Sequence, residues 1–259
     1  MTAKDLVLRA TTELFGQRDL TAIDRAWAAD YVEHSTFAGP GLAGPGLARP
    51  GLDGLRATAS SLPAGFRHER LRVLSEDDLV VVHGLYHGFG PVPVVGCDLW
   101  RVADDRIAEH WDARQPWADQ TVSGHTMTDG PAMVTEPDKT AASKKLVEQF
   151  VELIMMGGDR TQITRFFDGD RFIQHNPQIA DGVSGLGHAI QAGVWAATVE
   201  RVHHIVAEGE FVFTQGEGIL HGVPTAFYDL FRVENDKLAE HWDIVFAKPG
   251  TLPHGNELF

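Results

Sequence analysis

The sequence contains very little cysteine: Cys97 is the only one among 259 residues. A single cysteine excludes a disulfide within the chain and any metal cluster held by several thiolates. Proteins without disulfides are typical of a reducing compartment, so we expect a cytoplasmic protein.

Long apolar runs and clusters of positive charge are also missing. No stretch approaches the roughly 20 apolar residues of a membrane-spanning helix, and the opening MTAKDLVLRATTELF lacks the apolar run of a signal peptide. The formal net charge is -14, and no Lys/Arg cluster offsets it. Such a charge repels phosphate backbones and anionic lipids, so the sequence predicts neither nucleic acid nor membrane as a partner.

The most informative pattern present is an internal repeat. The stretch DLWRVADDRIAEHWD (Asp98–Asp112) returns as DLFRVENDKLAEHWD (Asp229–Asp243), with ten of fifteen positions identical. Upstream at nearly the same offset, RVLSEDDLVVVHG matches HIVAEGEFVFTQG, GLDGL matches GVSGL, and YVEH matches FIQH. Matches in the same order at a nearly constant offset indicate a tandem duplication.

The repeat sets the predicted domain boundaries. We predict a first copy over residues 1–125, a polar and turn-rich linker over 126–142, and a second copy over 143–259. The first copy also carries the insertion GPGLAGPGLARP after His34. Gly and Pro at that density disfavour regular structure, so the insertion is predicted to be a surface loop.

Each copy begins with helical periodicity and ends with the alternation of strands. Leu6, Ala10 and Leu14 recur at helical spacing, whereas ERLRVLSEDDLVVVHGLYHG and CDLWRVADDRIAEHWD read as two hairpins. Helices followed by a run of antiparallel strands predict an α+β domain, with the helices covering one face of a curved sheet.

The last hairpin places polar residues on one face of that sheet. Alternation puts His110 and Asp112 on one face and Trp111 on the other, where we expect Trp111 and its counterpart Trp242 to be packing residues. A three-residue turn at Ala103 to Asp105 sets Asp98 opposite His110, and a two-residue turn sets it opposite Trp111. We favour the longer turn, because Asp tolerates the left-handed conformation. The same facing is predicted for Asp229, His241 and Asp243.

Two carboxylates and an imidazole on one concave face can perturb each other's pKa values and supply a general acid and a general base. The alternative is that these groups only bind helix ends or solvent at the rim of the sheet. His34 and His175, at matching positions of the two copies, are further candidates for the base or for satisfied structural residues.

A metal site is a third alternative for the same residues. His34, His110 and Asp112 make two imidazoles and a carboxylate, the set that binds non-haem iron. No dense ligand motif such as HExxH is present, so we predict no metal and no cofactor.

Several of these motifs resemble a known family. The stretches FIQHNPQIADGVSGL, HIVAEGEFVF and DLFRVENDKLAEHWDI are similar to the SnoaL-like polyketide cyclase branch of the nuclear transport factor 2-like superfamily. The resemblance implies a cone-shaped α+β barrel in each copy, with an apolar pocket between sheet and helices. It also implies an intramolecular pseudo-dimer of the two halves, with further homo-oligomers left open. We expect the second pocket to be the more family-like, because it retains HNP after FIQ.

The resemblance also implies roles for single residues. Asp98 and Asp229 are similar to the oxyanion-side Asp of ketosteroid isomerases, and His34 and His175 lie within one residue of the place of their base. Asp112 and Asp243 are placed like the Asp near the chain end of limonene epoxide hydrolases. Epoxide hydrolysis itself is disfavoured, because Gly96 and Phe227 stand where those hydrolases carry Arg. Steroid isomerisation is disfavoured by the lack of a Tyr on the N-terminal helix.

The leading hypothesis is a cofactor-independent enzyme that removes a proton next to the carbonyl of a small or medium apolar compound. His175 or Asp243 is the predicted base, and Asp229 with His241 would hold the enolate oxygen. Cyclisation of the polyketide or aldol type, isomerisation and dehydration remain open. The rival hypothesis is a protein that binds a small hydrophobic molecule without catalysis. The equivalent residues of the first copy are His34, Asp98, His110 and Asp112.

Overall fold

The computed structural model describes residues 1–35, 50–252 and 254–259. Nearly all of the predicted surface loop GPGLAGPGLARP lies outside the described residues. The chain forms two compact units, one made of Met1–Trp117 with Pro249–Phe259 and the other of Ala118–Lys248. Within the described part of the chain, no helix has the length and apolar character needed to cross a membrane.

Within the described residues, the first unit combines three α-helices with a five-stranded sheet. Its helices are α1 (Ala3–Thr11), which continues as a π-helical turn over Thr12–Gly16, α2 (Ala22–Ala26) and α3 (Gly51–Ser61). Its strands are β1 (Trp27–Glu33), β2 (Arg67–Glu76), β3 (Leu79–His87), β4 (Val94–Ala103) and β5 (Arg106–Pro116). They lie in the order β1-β5-β4-β3-β2.

The second unit repeats this arrangement. Its α-helices are α4 (Thr140–Phe150), continued as a π-helix over Val151–Met156, and α5 (Gly182–Gln191), with short 3-10 helices at Pro137–Lys139 and Arg160–Arg165. Its strands are β6 (Ile173–Gln174), β7 (Ala197–Glu208), β8 (Phe211–Leu220), β9 (Val223–Glu234) and β10 (Lys237–Ala247). The order β6-β10-β9-β8-β7 matches the first unit and confirms the predicted tandem α+β fold.

Each sheet is mixed rather than purely antiparallel. β1 pairs in parallel with β5, and β6 pairs in parallel with β10, whereas the remaining pairs are antiparallel. The prediction of an antiparallel sheet is therefore right for the two hairpins and wrong for the first strand of each copy. The two parallel strands matter for function, because each brings the residue at its end beside the histidine of the repeated motif.

Helices pack on one face of each sheet through the predicted apolar positions. In the first unit, Leu6, Ala10 and Leu14 are fully buried and belong to one cluster with Val82 and Trp100 of the sheet. Burying one such leucine contributes roughly 1.5–3 kcal/mol to folding. Because side chains alternate along a strand, the even-numbered residues near Trp100 share this helix-facing side of the sheet.

The turn of the last hairpin differs from the prediction. Ala103 pairs with Arg106, and the two residues between them, Asp104 and Asp105, both have left-handed backbones with φ of 49° and 58°. This is a two-residue turn of the kind that matches the twist of a hairpin, so the three-residue prediction is wrong. This turn alone would set Asp98 opposite Trp111, but the observed partner of Asp98 is Asp112.

A bulge in β5 restores the predicted facing. The pairing of β4 with β5 shifts register next to Ala108, which leaves one unpaired residue there instead of in the turn. Trp100 therefore lies opposite His110, two residues along from the pair of Asp98 and Asp112. Asp98, His110 and Asp112 end on one face, and the second unit repeats this register shift next to Ala239.

The predicted linker over residues 126–142 is part of the second unit. The backbone N–H of Thr135 donates to the carboxylate of Glu210, and the indole of Trp242 donates to the carbonyl of Asp129. Met127 is buried as well. The segment is ordered because its own apolar and hydrogen-bonding groups contact the second unit. Its polar composition gave no indication of these contacts.

The end of the chain, predicted to complete the second copy, belongs to the first unit instead. The amide of Asn256 donates to the carbonyl of Glu33, and Nδ1 of His34 lies 2.7 Å from the carbonyl oxygen of Glu257. Leu258 is buried there. These residues cover the face of the first sheet opposite its helices.

Candidate functional site

The second unit contains an apolar pocket with a polar end. The cavity volume is about 120 Å³, and its polar end is formed by Gln174, Asp229 and His241. The aromatic and aliphatic wall includes Phe150, Phe172, Leu186, Trp195, Phe227 and Phe231. Few polar groups in an apolar cavity are typical of a site that binds a small molecule.

His241 is the centre of that polar end. Its Nε2 lies 2.9 Å from Oδ1 of Asp229, and its Nδ1 lies 3.1 Å from Oε1 of Gln174. Burial alone would lower the pKa of His241, but the hydrogen bond to Asp229 and the negative charges of Asp243 and Asp229 raise it. The imidazolium is therefore favoured next to the Asp229 carboxylate.

Asp243 lies opposite Asp229 on the neighbouring strand but does not line the pocket. Burial and the charge of Asp229 raise the pKa of Asp243 to about 6, against the opposing effects of His241 and of a 2.7 Å hydrogen bond from Asn176. A carboxyl group that titrates this close to neutral pH can both accept and return a proton.

In the first unit, the equivalent residues Asp98, His110 and Asp112 have more charged neighbours. Nε2 of His110 lies 3.0 Å from Oδ1 of Asp98, and Nδ1 lies 2.8 Å from Oε1 of Glu33. The phenol of Tyr86 donates to Oδ2 of Asp98, and that of Tyr31 donates to Oε2 of Glu33 at 2.7 Å. The cavity beside this network measures only about 40 Å³.

These contacts fix the charges of the first pocket. Burial opposes the charge on His110, but Glu33 and Asp98 raise its pKa to about 10. Burial likewise opposes the charge on Asp98, whereas the hydrogen bond and charge of His110 lower its pKa to about 2. Burial raises the pKa of Asp112, although Arg114 pairs with it at 2.5 Å and opposes the shift. At neutral pH His110 is a cation and Asp98 an anion.

The structure corrects the predicted position of His34 and His175. Their rings stack on Trp111 and Trp242 with centroids 4.8 and 4.6 Å apart, on the sheet face away from the helices, and neither lines a pocket. Glu33 and Gln174, one residue earlier, are the neighbours of the motif histidines. Alternation along the strand then turns the following histidine to the other face, so His34 and His175 do not face the pockets, and their position gives no support to the predicted base role.

The same placement bears on the metal alternative. His34 lies across the sheet from His110 and Asp112, so the predicted set of two imidazoles and a carboxylate is not assembled. Asp98, His110 and Asp112 do bring ligand atoms within 4.8 Å of one another, as do Asp229, His241 and Asp243. In both sets the histidine already bonds through its two ring nitrogens, and a cation would have to displace those bonds.

Sequence reasoning missed several residues of the two pockets. Glu33 and Gln174 stand at the third position of YVEH and FIQH, so the difference between them was visible in the repeat. Tyr86 and Arg114 of the first pocket have Gly218 and Val245 at the matching positions of the second copy. A comparison of the two copies at positions that differ would have identified these three pairs of positions more readily than the identities did.

A comparison with known proteins found a family match within the first unit. The sequence profile of the SnoaL-like domain matches residues 8–110, all of which lie in the first unit. The match covers most of the first unit, and the repeated motifs and strand order make the second unit a copy of the same fold. The expectation that the second pocket is the more family-like stays a prediction, because the profile match concerns sequence and not the pockets. No match was found among curated proteins.

Several solved structures are similar to about half of the chain. Wild-type IdmH from Streptomyces antibioticus, described as a candidate polyketide cyclase, is 20% identical over 44% of this chain and 93% of that chain, with a TM-score of 0.36. An NTF2-like protein of unknown function from Mesorhizobium loti is 21% identical over 44% and 91%, with a TM-score of 0.36. A candidate ketosteroid isomerase from Kribbella flavida is 11% identical over 43% and 82%, with a TM-score of 0.36.

Proposed function

We propose that the second unit is a cofactor-independent acid/base enzyme that forms an enolate from a small or medium apolar carbonyl compound. The observation that carries this proposal is the carboxylate of Asp229 at the polar end of an apolar pocket. Its Oδ1 is paired with His241, and no group of the described residues donates to its Oδ2. An acceptor that faces the cavity in this way is available to a ligand.

Asp229 takes the role of base in this proposal, because His175 lies on the other face of the sheet and Asp243 does not line the pocket. Its carboxylate removes the proton from the carbon next to the carbonyl group. The electrons of that C–H bond form the new C=C bond, and negative charge collects on the carbonyl oxygen. The positive charge of His241 stabilises this charge in a site of low dielectric constant.

Asp243 can hold the proton that Asp229 removes. One of its carboxyl oxygens lies within 4.8 Å of a carboxyl oxygen of Asp229 and of a ring nitrogen of His241. With a pKa of about 6, it can accept the abstracted proton from Asp229 and return it to Asp229, which lines the pocket and delivers it to another atom of the intermediate. Cyclisation, isomerisation and dehydration all begin with the enolate, and the SnoaL-like family match supports this class of reaction.

The proposal can be tested without the natural substrate. Hydrogen exchange at the carbon next to the carbonyl of 2-tetralone, followed by proton NMR in D2O, reports enolate formation directly. We expect exchange above the buffer rate with wild-type protein and a loss of roughly 100- to 10,000-fold in Asp229→Asn. Glu33→Gln, which gives the first pocket the residue of the second, is the matched control and should exchange at the wild-type rate.

The binding hypothesis makes a different prediction in the same experiment. If the second unit only binds hydrophobic molecules, 2-tetralone will bind with a measurable Kd while its hydrogens exchange at the buffer rate in wild-type protein and in Asp229→Asn alike. That result would overturn the enzymatic proposal. Titration calorimetry of each protein with 2-tetralone supplies the Kd needed for the comparison.

A further inference from the structure

The two pockets differ in the origin of one aromatic ring. Tyr86 of β3 pairs with the residue four positions before Asp98, and Gly218 of β8 pairs with the residue four positions before Asp229. Tyr86 and Gly218 are therefore structural equivalents. By the same count, Gly96 in the first unit is equivalent to Phe227 in the second.

Gly96 is required by the Tyr86 ring, whereas Gly218 is required by the backbone of the neighbouring strand. A Cβ atom at Gly96 would collide with the ring of Tyr86, so that ring covers the position from which Phe227 projects in the second unit. At Gly218 a Cβ atom would collide with the carbonyl oxygen of Thr198, so no side chain can enter the second pocket from there. The first unit thus supplies its ring from β3 and the second from β9.

The two rings differ in whether they donate a hydrogen bond to the buried aspartate. The ring in the first pocket carries a hydroxyl group that donates to Oδ2 of Asp98, whereas the phenylalanine ring in the second carries none. The corresponding oxygen of Asp229 has no donor among the described residues. The remaining cavity measures about 120 Å³ in the second unit and about 40 Å³ in the first.

A cavity of about 40 Å³ holds a few water molecules but no aromatic ring, because one water needs roughly 10–15 Å³ of such space. A cavity of about 150 Å³ in another protein holds benzene, so the second pocket is close to the size of one ring. Size and hydrogen bonding therefore lead to the same contrast between the pockets.

We propose that Tyr86 is a built-in occupant of the first pocket, which closes that pocket to ligands and leaves the second as the ligand site of the chain. The Tyr86 side chain provides the groups that a ligand would provide, namely one aromatic ring and a hydroxyl group that donates to the buried Asp98. This inference deepens the proposed function by assigning it to one copy. It also identifies Tyr86 as the residue that separates the two copies in specificity.

The test removes the Tyr86 side chain and adds an equivalent small molecule to the solution. Tyr86→Gly places at this position the residue found in the second unit, and p-cresol is the severed tyrosine side chain. We expect calorimetry to find one more p-cresol site per chain in Tyr86→Gly than in wild-type protein. Toluene, which lacks the hydroxyl group, should bind this added site at least about 10-fold more weakly, as expected for the loss of a hydrogen bond to a charged group.

Phe66→Ala provides the matched control. Phe66 lines the same pocket, with its ring 6.1 Å from that of Tyr86, but it carries no hydroxyl group. The space opened there should show no preference for p-cresol over toluene. If Tyr86→Gly does not fold alone, refolding in p-cresol and in toluene replaces the titration, and only p-cresol should restore the folded protein.

An unchanged number of p-cresol sites in folded Tyr86→Gly would overturn the inference. Equal rescue by toluene and p-cresol would also overturn it, because the hydrogen bond from the hydroxyl group to Asp98 would then contribute nothing to binding. The proposed function is judged separately, by hydrogen exchange in wild-type protein and in Asp229→Asn. The first pocket can therefore fail its test while the second passes.

Discussion

Oε1 of Glu33 lies 2.8 Å from Nδ1 of His110, at the place where the second unit sets the amide of Gln174 beside His241. One atom of difference, oxygen for nitrogen, changes the charge around an otherwise repeated histidine. His110 is held between two carboxylates, whereas His241 has one carboxylate and one amide as hydrogen-bonding partners. The two copies therefore share a fold and a motif but not an electrostatic state.

Replacing Glu33 by Gln should lower the pKa of His110 from about 10. The folded-state pKa of His110 is above its unfolded value, so this group stabilises the first unit fully below pH 6.5 and loses its contribution as the pH rises through 10. In Glu33→Gln that loss should be complete at a lower pH, with a difference of a few kcal/mol at most. NMR of the His110 ring nitrogens between pH 6 and 10 measures the shift. An unchanged titration would contradict the assigned role of Glu33.

Asp243→Asn should stabilise the protein at neutral pH. The pKa of Asp243 is raised to about 6, so the folded state binds this proton more tightly than the unfolded state, and stability falls as the pH rises from about 4 to 6. The neutral amide removes that penalty, with an expected gain of about 2 kcal/mol at pH 7 and none at pH 4. Urea unfolding at both pH values measures it, and Asn176→Ala, which removes the donor to Asp243, should change stability in the opposite direction at pH 7.

His175→Gln should weaken the second unit without affecting enolate formation. The ring of His175 stacks on Trp242 and bonds through its two nitrogens to the carbonyl of Thr126 and the carboxylate of Glu240, all on the face away from the pocket. We expect a loss of about 1–3 kcal/mol in unfolding free energy and an unchanged exchange rate for 2-tetralone. A large fall in exchange in folded His175→Gln would restore the base role that the sequence predicted.

Removing residues 249–259 should loosen the first sheet. Leu252 and Leu258 are buried in the first unit, and Asn256 holds the carbonyl of Glu33 at 2.8 Å. Amide hydrogen exchange should therefore accelerate in β1 and β5, while β6 and β10 keep their protection. Equal protection of β1 in the full and shortened chains would show that this segment does not stabilise the strand.

Much of this architecture could be predicted from the sequence, because the repeat and its periodicity are local signals. The fold, the shared face of His110 and Asp112, and the outward position of Trp111 all followed from alternation along strands. The pairing partner of Asp98 did not, because a turn of two residues with a bulge at Ala108 gives the same facing as the longer turn.

Contacts between distant parts of the chain were beyond sequence reasoning. The ends of β1 and β6 are set by parallel pairing across many residues, so an error of one position exchanged Glu33 for His34 as the pocket residue. Tyr86 reaches Asp98 from another strand, and no local pattern indicates that contact. Differences between the copies carry this information once the structure shows which positions face each other.

The central claim is that the carboxylate of Asp229 acts as the base in the second pocket. The most direct measurement is the ratio of 2-tetralone hydrogen exchange in Asp229→Asn and in wild-type protein, both saturated with the probe and checked for folding. We predict a ratio of roughly 0.01 or lower. A ratio near one, with wild-type exchange above the buffer rate, would show that another group removes the proton and would contradict the account.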